Sequence, residues 1–302
     1  MRKIALVAVV AIVAAACGTS TPSGGPSTSG TGTAAACAKG NLNLVTPGKL
    51  TIGTSNPAYP PYFEGGAAKA SEWKLNDPHT GKGFESAVAY EVAKRLGFSK
   101  NEVDWVPSPF DQSFAPGPKN WDFNIQQISY NAKRAQAVEF SDSYYDESEA
   151  LVAVKGTPIT HATSISDLKP YRLATETGTT SYDIITNLIK PTKEPGAYNS
   201  LSDAVAAINA HQVDGLVVDY PTALYIADPY VQEVKNSVVV GQFPPTAQSE
   251  HFGMTFVKGN PLVACVNRAL ASMKADHTLQ SITTEWLSKK TNVGEVPVFS
   301  NS

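Results

Sequence analysis

Strands and helices alternate twice along this chain, and that order restricts its fold more than any other feature of the sequence. The stretch KLTIGT alternates apolar and polar residues as a short strand does, and a polar loop follows it. Apolar residues then recur at every fourth position from Phe84 to Leu96, which predicts a helix that ends at Gly97. Two further strands are predicted in EVDWV and KNWDFNIQQIS. This order predicts a mainly parallel sheet with helices packed against it.

A second unit of the same kind begins after ALVAVKG. Strands are predicted in YRLATE and VDGLVVD and helices in SYDIITNLI and SLSDAVAAINAHQ, with Ser202 and Asp203 suited to capping the latter. The strand SVVVGQ leads out of this unit, and two helices that start at Pro261 close the chain. The fold class is therefore α/β with two units, and the cleft between them is where a ligand is expected.

The first 17 residues have the layout of a secretory signal. Two cations precede an apolar run from Ile4 to Ala16, and Cys17 follows small residues. This run is too short to cross a bilayer, which takes about 20 residues. A cysteine at this position resembles the bacterial lipoprotein signal, so residues 1–16 are predicted to be a signal peptide and Cys17 to be lipidated. Ordinary secretion with an incidental cysteine is the alternative.

Residues 18–36 contain only Gly, Ser, Thr, Pro and Ala, a composition that cannot bury a core. Together with Cys17 they predict a lipid anchor on a flexible tether, which places the protein outside the cytoplasm at the bacterial cell membrane. The formal net charge is −3 and no basic block occurs, so nucleic acid is not an expected partner.

Two cysteines remain beyond Cys17. Outside the cytoplasm an isolated pair favours a disulfide, so a Cys37–Cys265 bridge is predicted, and both chain ends are expected in the same lobe. No cofactor is expected, and no metal site is expected from the scattered spacing of the histidines. These are His79, His161, His211, His251 and His277.

Four motifs occur in an order that resembles one known family: GFESAVAYEVAKRLGF, DFNIQQISYNAKRAQAVEFSDSYY, ATETGTTSYD and VDGLVVDYPTA. Residues 48–290 resemble the extracellular solute-binding proteins of family 3, the amino-acid receptors of ABC importers. The resemblance implies a type II periplasmic-binding-protein fold, in which two lobes joined by two crossover strands close on a ligand. Lobe 1 is expected to comprise residues 37–152 and 243–302, and an inserted lobe 2 residues 153–242. A monomer that delivers a free amino acid to a membrane permease is expected.

Arg134 is the first candidate ligand-binding residue. It lies in the first turn of a predicted helix that Asn131 is suited to cap, where a cation opposes the helix dipole and a bound anion would compensate. A guanidinium matches both oxygens of a carboxylate, and the resemblance implies that Arg134 binds the ligand α-carboxylate. A surface ion pair with Glu139 or Asp142 is the alternative. The resemblance also implies that Ser129 contacts the carboxylate and the ammonium of the same head group.

The second lobe supplies the other head-group candidates. Gly178 and Thr180 lie between a strand and a helix, where backbone N–H groups favour an anion. The resemblance implies that Thr180 meets the same carboxylate, whereas helix capping is the alternative. Asp219 ends a strand at the sheet edge where α/β proteins hold ligands, and the resemblance implies that it binds the α-ammonium. A turn residue before Pro221 is the alternative. With charged partners on both lobes, the ligand would stabilise only the closed state, in which both partners reach it.

Four positions match the family's side-chain pocket. Tyr59 and Phe110 match aromatic walls, and a role in the core is the alternative. Asn56 stands where receptors for basic amino acids can carry an aspartate, and Gln127 can supply another amide, so a polar or neutral amino acid is expected. Residues 73–81 have no clear counterpart in the family, and neither Trp73 nor the preceding glutamate is assigned a role.

Two other functional classes compete with this interpretation. An enzyme of the same fold, dehydratase-like or murein-cleaving, would need an acid or base, for which Glu176 is the candidate. An enzyme is not expected, because no G-x-S-x-G, H-E-x-x-H or P-loop motif is present and a lipid tether suits a receptor. A structural or adhesive lipoprotein would not need Arg134, Thr180 and Asp219 in register.

Overall fold

Two five-stranded sheets, each with helices packed against it, form the two lobes expected from the sequence. The computed structural model describes residues 35–231, 233–244, 251–288 and 296–301. The predicted signal peptide, Cys17 and the tether up to residue 34 lie outside these residues.

The strands are numbered in chain order: β1 Leu50–Thr54, β2 Val103–Pro107, β3 Phe123–Asn124, β4 Val138–Phe140, β5 Tyr145–Asp146, β6 Glu149–Val154, β7 Leu173–Glu176, β8 Gly196–Tyr198, β9 Gly215–Asp219, β10 Ser237–Gln242, β11 His251–Phe252 and β12 Thr255–Val257. The α-helices are α1 Phe84–Arg95, α2 Arg134–Ala137, α3 Thr180–Asp183, α4 Leu201–Asn209, α5 Tyr220–Ile226, α6 Leu262–Ala275 and α7 Thr278–Thr283. π-Helical turns at Ile184–Ile189 and Thr284–Ser288 continue α3 and α7.

The first sheet has the strand order β2-β1-β3-β12-β4. Strands β2, β1 and β3 are parallel, and β12 runs antiparallel to β3 and β4. Helix α1 packs on this sheet through the predicted apolar face, since Phe84, Val88 and Val92 are fully buried. The helix ends as predicted, because Gly97 adopts a left-handed φ of 89° that other residues avoid.

The second sheet has the strand order β10-β6-β9-β7-β8 and is buried on both faces. Side chains of a strand alternate between faces, so in β6 Ala150 and Val152 join one apolar cluster while Leu151 and Ala153 join the other. Burial of both faces explains why the central strands read as continuous apolar runs.

The chain passes from the first sheet to the second between β4 and β6 and back between β10 and β12, and β5 and β11 pair side by side along these two connections. The two crossover strands implied by the family resemblance are thus present. Strand β6 already pairs in the second sheet, so the first crossing lies before Glu149 rather than at residue 152.

The C-terminal segment also departs from the predicted lobe boundaries. Residues 296–301 pack on the second lobe, where the Phe299 ring lies 5.2 Å from that of Phe243. The amide of Phe299 donates to the carbonyl of Gln242 at 2.9 Å. Gly241 leaves room for this ring, since a Cβ there would lie 2.6 Å from it. The expectation that both chain ends share one lobe is therefore wrong.

Two local predictions also differ from the structure. The strand predicted across KNWDFNIQQIS is confined to β3, because Gln127 adopts a left-handed φ of 53° that bends the chain. Helix α4 is capped by the Ser200 side chain, which accepts from the amide of Asp203, and not by Ser202 or Asp203. Ser200 lies directly before the first helical residue, the position from which a hydroxyl reaches the free amides of the first turn.

Cys37 and Cys265 form the predicted disulfide, with their Cα atoms 5.4 Å apart. Both residues are buried in the core of lobe 1, and Cys265 lies on α6. The bridge thus fixes the start of the folded chain to a helix near its end. None of the helices in the described ranges has the length and apolar character that crossing a bilayer requires.

Removing this disulfide is expected to destabilise the protein. The two cysteines are 228 residues apart, so Cys37→Ser with Cys265→Ser should lower the free energy of unfolding by about 2–5 kcal/mol, because the unfolded chain gains freedom. Guanidinium denaturation measures this change. The wild type unfolded in the presence of a reductant should have the same midpoint as the double variant. Equal midpoints for the oxidised wild type and the double variant would contradict the prediction.

Candidate ligand-binding site

A cavity of about 640 Å³ lies between the two lobes. Its walls are formed by segments that follow the carboxyl ends of parallel strands in both sheets. Residues after β1, β2 and β3 line the first-lobe side, and residues after β7, β8 and β9 line the second-lobe side. Predicted site residues among them are Asn56, Tyr59, Phe110, Gln127, Ser129, Glu176, Thr180 and Asp219. The topology therefore brings most of the predicted site together.

Arg134 lies beside this cavity and is only 6% exposed. Its Nη1 donates to the carbonyl oxygen of Ser129 at 2.7 Å, and its Nη2 donates to that of Gly178 at 2.8 Å. Its guanidinium carbon also lies 4.3 Å from the centre of the Phe114 ring and 5.4 Å from that of Phe110. One guanidinium thus connects the two lobes and rests on two aromatic rings.

The alternative, a surface ion pair of Arg134 with Glu139 or Asp142, is not seen among the described residues, and Glu139 lies 3.4 Å from Lys258. Burial lowers the pKa of Arg134 to about 10, while the nearby Asp219 opposes this shift, so the side chain stays charged at neutral pH. Asn131 accepts from the amide of Arg134 as expected of a cap. The helix that follows has only four residues, so its dipole is a weak reason to expect an anion.

The loop before α3 brings Gly178 and Thr180 to the first lobe. Gly178 has a left-handed φ of 78°, which turns its carbonyl towards Arg134. Thr179 caps α3 by accepting from the amide of Tyr182, so Thr180 does not serve as the cap. The Thr180 hydroxyl instead lies 3.2 Å from the Ser129 hydroxyl across the cleft.

Two glutamates that the sequence analysis missed complete the corner around Asp219. Carboxylate oxygens of Glu147, Glu149 and Asp219 all lie within 4.8 Å of one another. Glu147 accepts from the Ser129 hydroxyl at 3.0 Å, and Glu149 accepts from the Thr180 hydroxyl at 2.8 Å. The two hydroxyls expected to meet a ligand carboxylate thus donate to protein carboxylates here. This corner of the cavity carries the charge that attracts a cationic group.

The sequence contains a feature that could have identified these glutamates as site residues. Glu147 lies just before β6, and Glu149, its first residue, is only 1% exposed at the head of a strand that is otherwise apolar. Charged residues are almost never fully buried unless they are paired or coordinate a ligand. A glutamate directly before ALVAV was therefore an indication of a site.

Two tyrosines of the first lobe close the cavity against the second. The Tyr62 hydroxyl lies 3.0 Å from that of Thr222 in a buried contact. The Tyr59 hydroxyl is hydrogen-bonded to that of Ser202. Tyr59 also lines the cavity, so it belongs to the wall and not to the core.

The amide of Asn56 holds a neighbouring segment of the wall. Its Nδ2 donates to the carbonyl of Glu72 at 2.9 Å, and its Oδ1 accepts from the amide of Lys74 at 3.0 Å. Trp73, between them, is buried in the core of lobe 1, and Lys74 lines the cavity. The segment that had no assigned role is therefore part of the site, and Asn56 positions it.

Gln127 is fixed by a buried carboxylate that the sequence analysis also missed. Glu85 on α1 accepts from the backbone amide of Gln127 at 2.7 Å, from its side-chain amide, and from the Tyr144 hydroxyl at 2.5 Å. Burial raises the pKa of Glu85 to about 7, although the three hydrogen bonds oppose this shift. Glu176 lines the cavity, and burial raises its pKa to about 7 as well.

Comparison with known proteins gives a consistent result. The family described as Bacterial extracellular solute-binding proteins, family 3, matches residues 65–289. The L-cystine-binding protein TcyA of Bacillus subtilis is 30% identical over 249 residues, which is 79% of this chain and 81% of the relative. The L-cystine-binding protein TcyJ of Escherichia coli K12 is 26% identical over 252 residues, 82% of this chain and 86% of the relative. One similar solved structure is that of an ancestral arginine-binding protein bound to arginine, which is 27% identical in sequence and superposes with a TM-score of 0.63. The match covers 79% of this chain and 98% of the ancestral protein.

The pKa of Glu85 predicts how stability depends on pH. Its pKa is about 7 in the folded state against an ordinary value of 4.5, so folding favours the protonated form. The contribution of protonated Glu85 to the free energy of unfolding is complete below the pKa of the unfolded state. It is lost as the pH rises towards 7, and the free energy of unfolding then falls by at most about 1.4 kcal/mol per pH unit.

Urea unfolding between pH 5 and 8 tests this prediction. Glu85→Gln should lose less stability than the wild type as pH rises, because the variant has no carboxyl to ionise. Glu194→Gln, which changes an exposed carboxylate, should keep the wild-type dependence. Equal pH dependence in wild type and Glu85→Gln would show that Glu85 does not titrate in this range.

Proposed function

Because the chain belongs to the bacterial extracellular solute-binding proteins of family 3, we propose that it binds a free amino acid in the interlobe cavity and delivers it to an ABC permease for uptake. One observation carries the proposal: a buried arginine from one lobe and a carboxylate from the other flank the same interlobe cavity. The names of the relatives, which bind cystine or arginine, support a ligand of this class.

Arg134 is proposed to bind the ligand α-carboxylate. Its two hydrogen bonds to backbone carbonyls use two of the five N–H donors of a guanidinium, and the remaining donors can bind a carboxylate. The Ser129 and Thr180 hydroxyls can rotate from the glutamates to the same carboxylate, and Gly178 permits the left-handed φ of 78° in the loop whose carbonyl accepts from Arg134. Burial against two adjacent aromatic rings strengthens such a charge-assisted bond, since little water competes for it.

Asp219 is proposed to bind the α-ammonium. Glu147 and Glu149 add negative charge at the same corner, which favours a cationic group there over a neutral one. The ammonium and the carboxylate of one amino acid would thus meet opposite charges on different lobes. Binding would stabilise the closed state, because only that state offers both contacts.

The polar or neutral ligand expected from Asn56 and Gln127 stays a prediction, as do the monomeric state and the absence of nucleic acid as a partner. Anchoring through Cys17 is proposed from the N-terminal sequence and suits a receptor that hands its ligand to a membrane permease. No cofactor enters this mechanism.

An enzyme of the same fold is the second candidate, and Glu176 is the observation that favours it. This carboxyl lines the cavity with a pKa of about 7, as suits a general acid. The curated relatives described above are transport binding proteins, and we therefore propose a receptor rather than a catalyst. Chemical change of a bound amino acid by the wild type, absent in Glu176→Gln, would favour the enzyme.

A thermal-shift screen with the twenty amino acids tests the proposed function. A ligand at 100 times its dissociation constant should stabilise the folded protein by about 2.7 kcal/mol. At least one amino acid should raise the melting temperature of the purified protein. Absence of a shift across the whole panel would contradict the proposal and favour the structural class.

Arg134→Ala should weaken binding of that amino acid by roughly 3–5 kcal/mol, by analogy with removing one partner of a buried ion pair. Arg134→Lys should lose part of this affinity, because lysine keeps the charge without the planar fork. Isothermal titration measures both. Arg268→Ala removes an exposed arginine as the control. A loss below about tenfold in Arg134→Ala would remove this residue from the site.

Asp219→Asn should weaken binding about 10-fold to 100-fold, since a neutral amide replaces the charged partner of the ammonium. Glu194→Gln, at an exposed carboxylate of the same lobe, is the control and should bind as the wild type does. An unchanged dissociation constant in Asp219→Asn would contradict the assigned role of Asp219.

A further inference from the structure

We propose that Lys74 determines ligand specificity by binding a second carboxylate, at the end of the ligand distant from its α-carbon. This inference rests on the proposed function and narrows the expected polar ligand to one with an anionic distal group. It concerns the segment Trp73–Gly81, which the sequence left without a role.

Lys74 is the cationic side chain among the described residues that line the cavity. The other charged lining residues are acidic: Asp111, Glu176 and Asp219. Arg134, which is proposed to take the α-carboxylate, lies beside the cavity and contacts the lining residues Ser129 and Phe110. Lys74 is exposed at the cavity wall and, among the described residues, forms no ion pair. Its ammonium is thus available to a ligand.

The backbone of Lys74 is held firmly at the wall. Both atoms of the Asn56 amide bond to this segment, on either side of the buried Trp73. Asn76 ties the next turn, as its Nδ2 donates to the carbonyl of Ala58 and its Oδ1 accepts from the amide of Gly66, both at 2.9 Å. Four hydrogen bonds and the buried indole of Trp73 therefore fix the backbone from which the flexible Lys74 side chain extends. A residue that determines specificity needs such support from its surroundings.

Lys74 and Arg134 approach the cavity from different parts of the first sheet. Lys74 is attached through Asn56 to the end of β1, whereas Arg134 begins α2, the short helix before β4. Strands β3 and β12 separate β1 from β4, so these two strands lie about three strand spacings, roughly 14 Å, apart across the sheet. The two cationic side chains are therefore attached to different parts of the lobe. Two cationic side chains placed in this way suit a ligand that carries an anionic group at each end. They suit a single carboxylate bound through both of its oxygens less well.

The charge also excludes ligands. A cationic side chain would meet Lys74 in the cavity, and like charges at close range are unfavourable. Arginine and lysine are therefore expected to bind more weakly than neutral amino acids of similar length. Asn56, where an aspartate could have favoured a basic ligand, instead positions a lysine that opposes one.

Two sources can supply the distal carboxylate: the side chain of an acidic amino acid, or the second head group of a cystine-like ligand. Titration of the full mature protein with L-glutamate, L-glutamine, L-arginine and L-cystine separates them. The wild type should bind L-glutamate or L-cystine about tenfold or more tightly than L-glutamine, as expected for a hydrogen bond between charged groups. Whichever of the two binds more tightly identifies the source.

Lys74→Gln should lower affinity for that preferred ligand by about tenfold and change affinity for L-glutamine by less than about twofold. Lys69→Gln, which removes an exposed lysine of the same loop outside the cavity, should bind as the wild type does. Lys74→Glu should reverse the order and favour L-arginine. Melting temperatures equal to that of the wild type would show that each variant is folded.

Equal losses for charged and neutral ligands in Lys74→Gln, or a wild type that prefers L-glutamine or L-arginine, would overturn the role of Lys74 while leaving amino-acid binding intact. Absence of binding by any amino acid would overturn both this inference and the proposed function.

Discussion

The guanidinium of Arg134 donates to the backbone of both lobes, and the interlobe cavity depends on this contact. Its bonds to the carbonyls of Ser129 and Gly178 hold a loop of lobe 2 against the first sheet. The Ser129–Thr180 and Tyr62–Thr222 contacts lie across the same interface. Burying the guanidinium is costly without partners, and carbonyls of both lobes supply such partners when the lobes meet. A ligand that supplies a further partner to Arg134 would therefore favour closure.

Charge is distributed unevenly around this arginine. Three carboxylates lie together on one side, with the cavity adjacent to them, and one lysine lines another part of the wall. A zwitterion satisfies such a site because its two charges are separated by a fixed short distance, and opposite charges meet each end. This distribution suits recognition of a small charged solute better than an adhesive role, which would need no buried charge.

Periodicity and composition predicted what depends on local sequence. The four-residue repeat from Phe84 to Leu96 fixed α1, and the isolated cysteines identified the disulfide. The family resemblance supplied the two lobes and the residues that line the cavity. The features that neither the local sequence nor the resemblance predicted depend on contacts between residues distant in the chain. Gln127 bends its strand because Glu85 on α1 binds it, and residues 296–301 join lobe 2 because Gly241 leaves room for one ring. No local pattern encodes either partner.

The central claim is that one zwitterionic head group binds to opposite charges on two lobes. Isothermal titration of the purified protein with its amino-acid ligand, the N-acetyl derivative and the α-methyl ester tests it directly, because each derivative removes one charge. Both derivatives should lose about 100-fold or more in affinity, as unpaired buried charges are costly. Retention of full affinity by either derivative would contradict the claim, since one of the two charges would then have no role in binding.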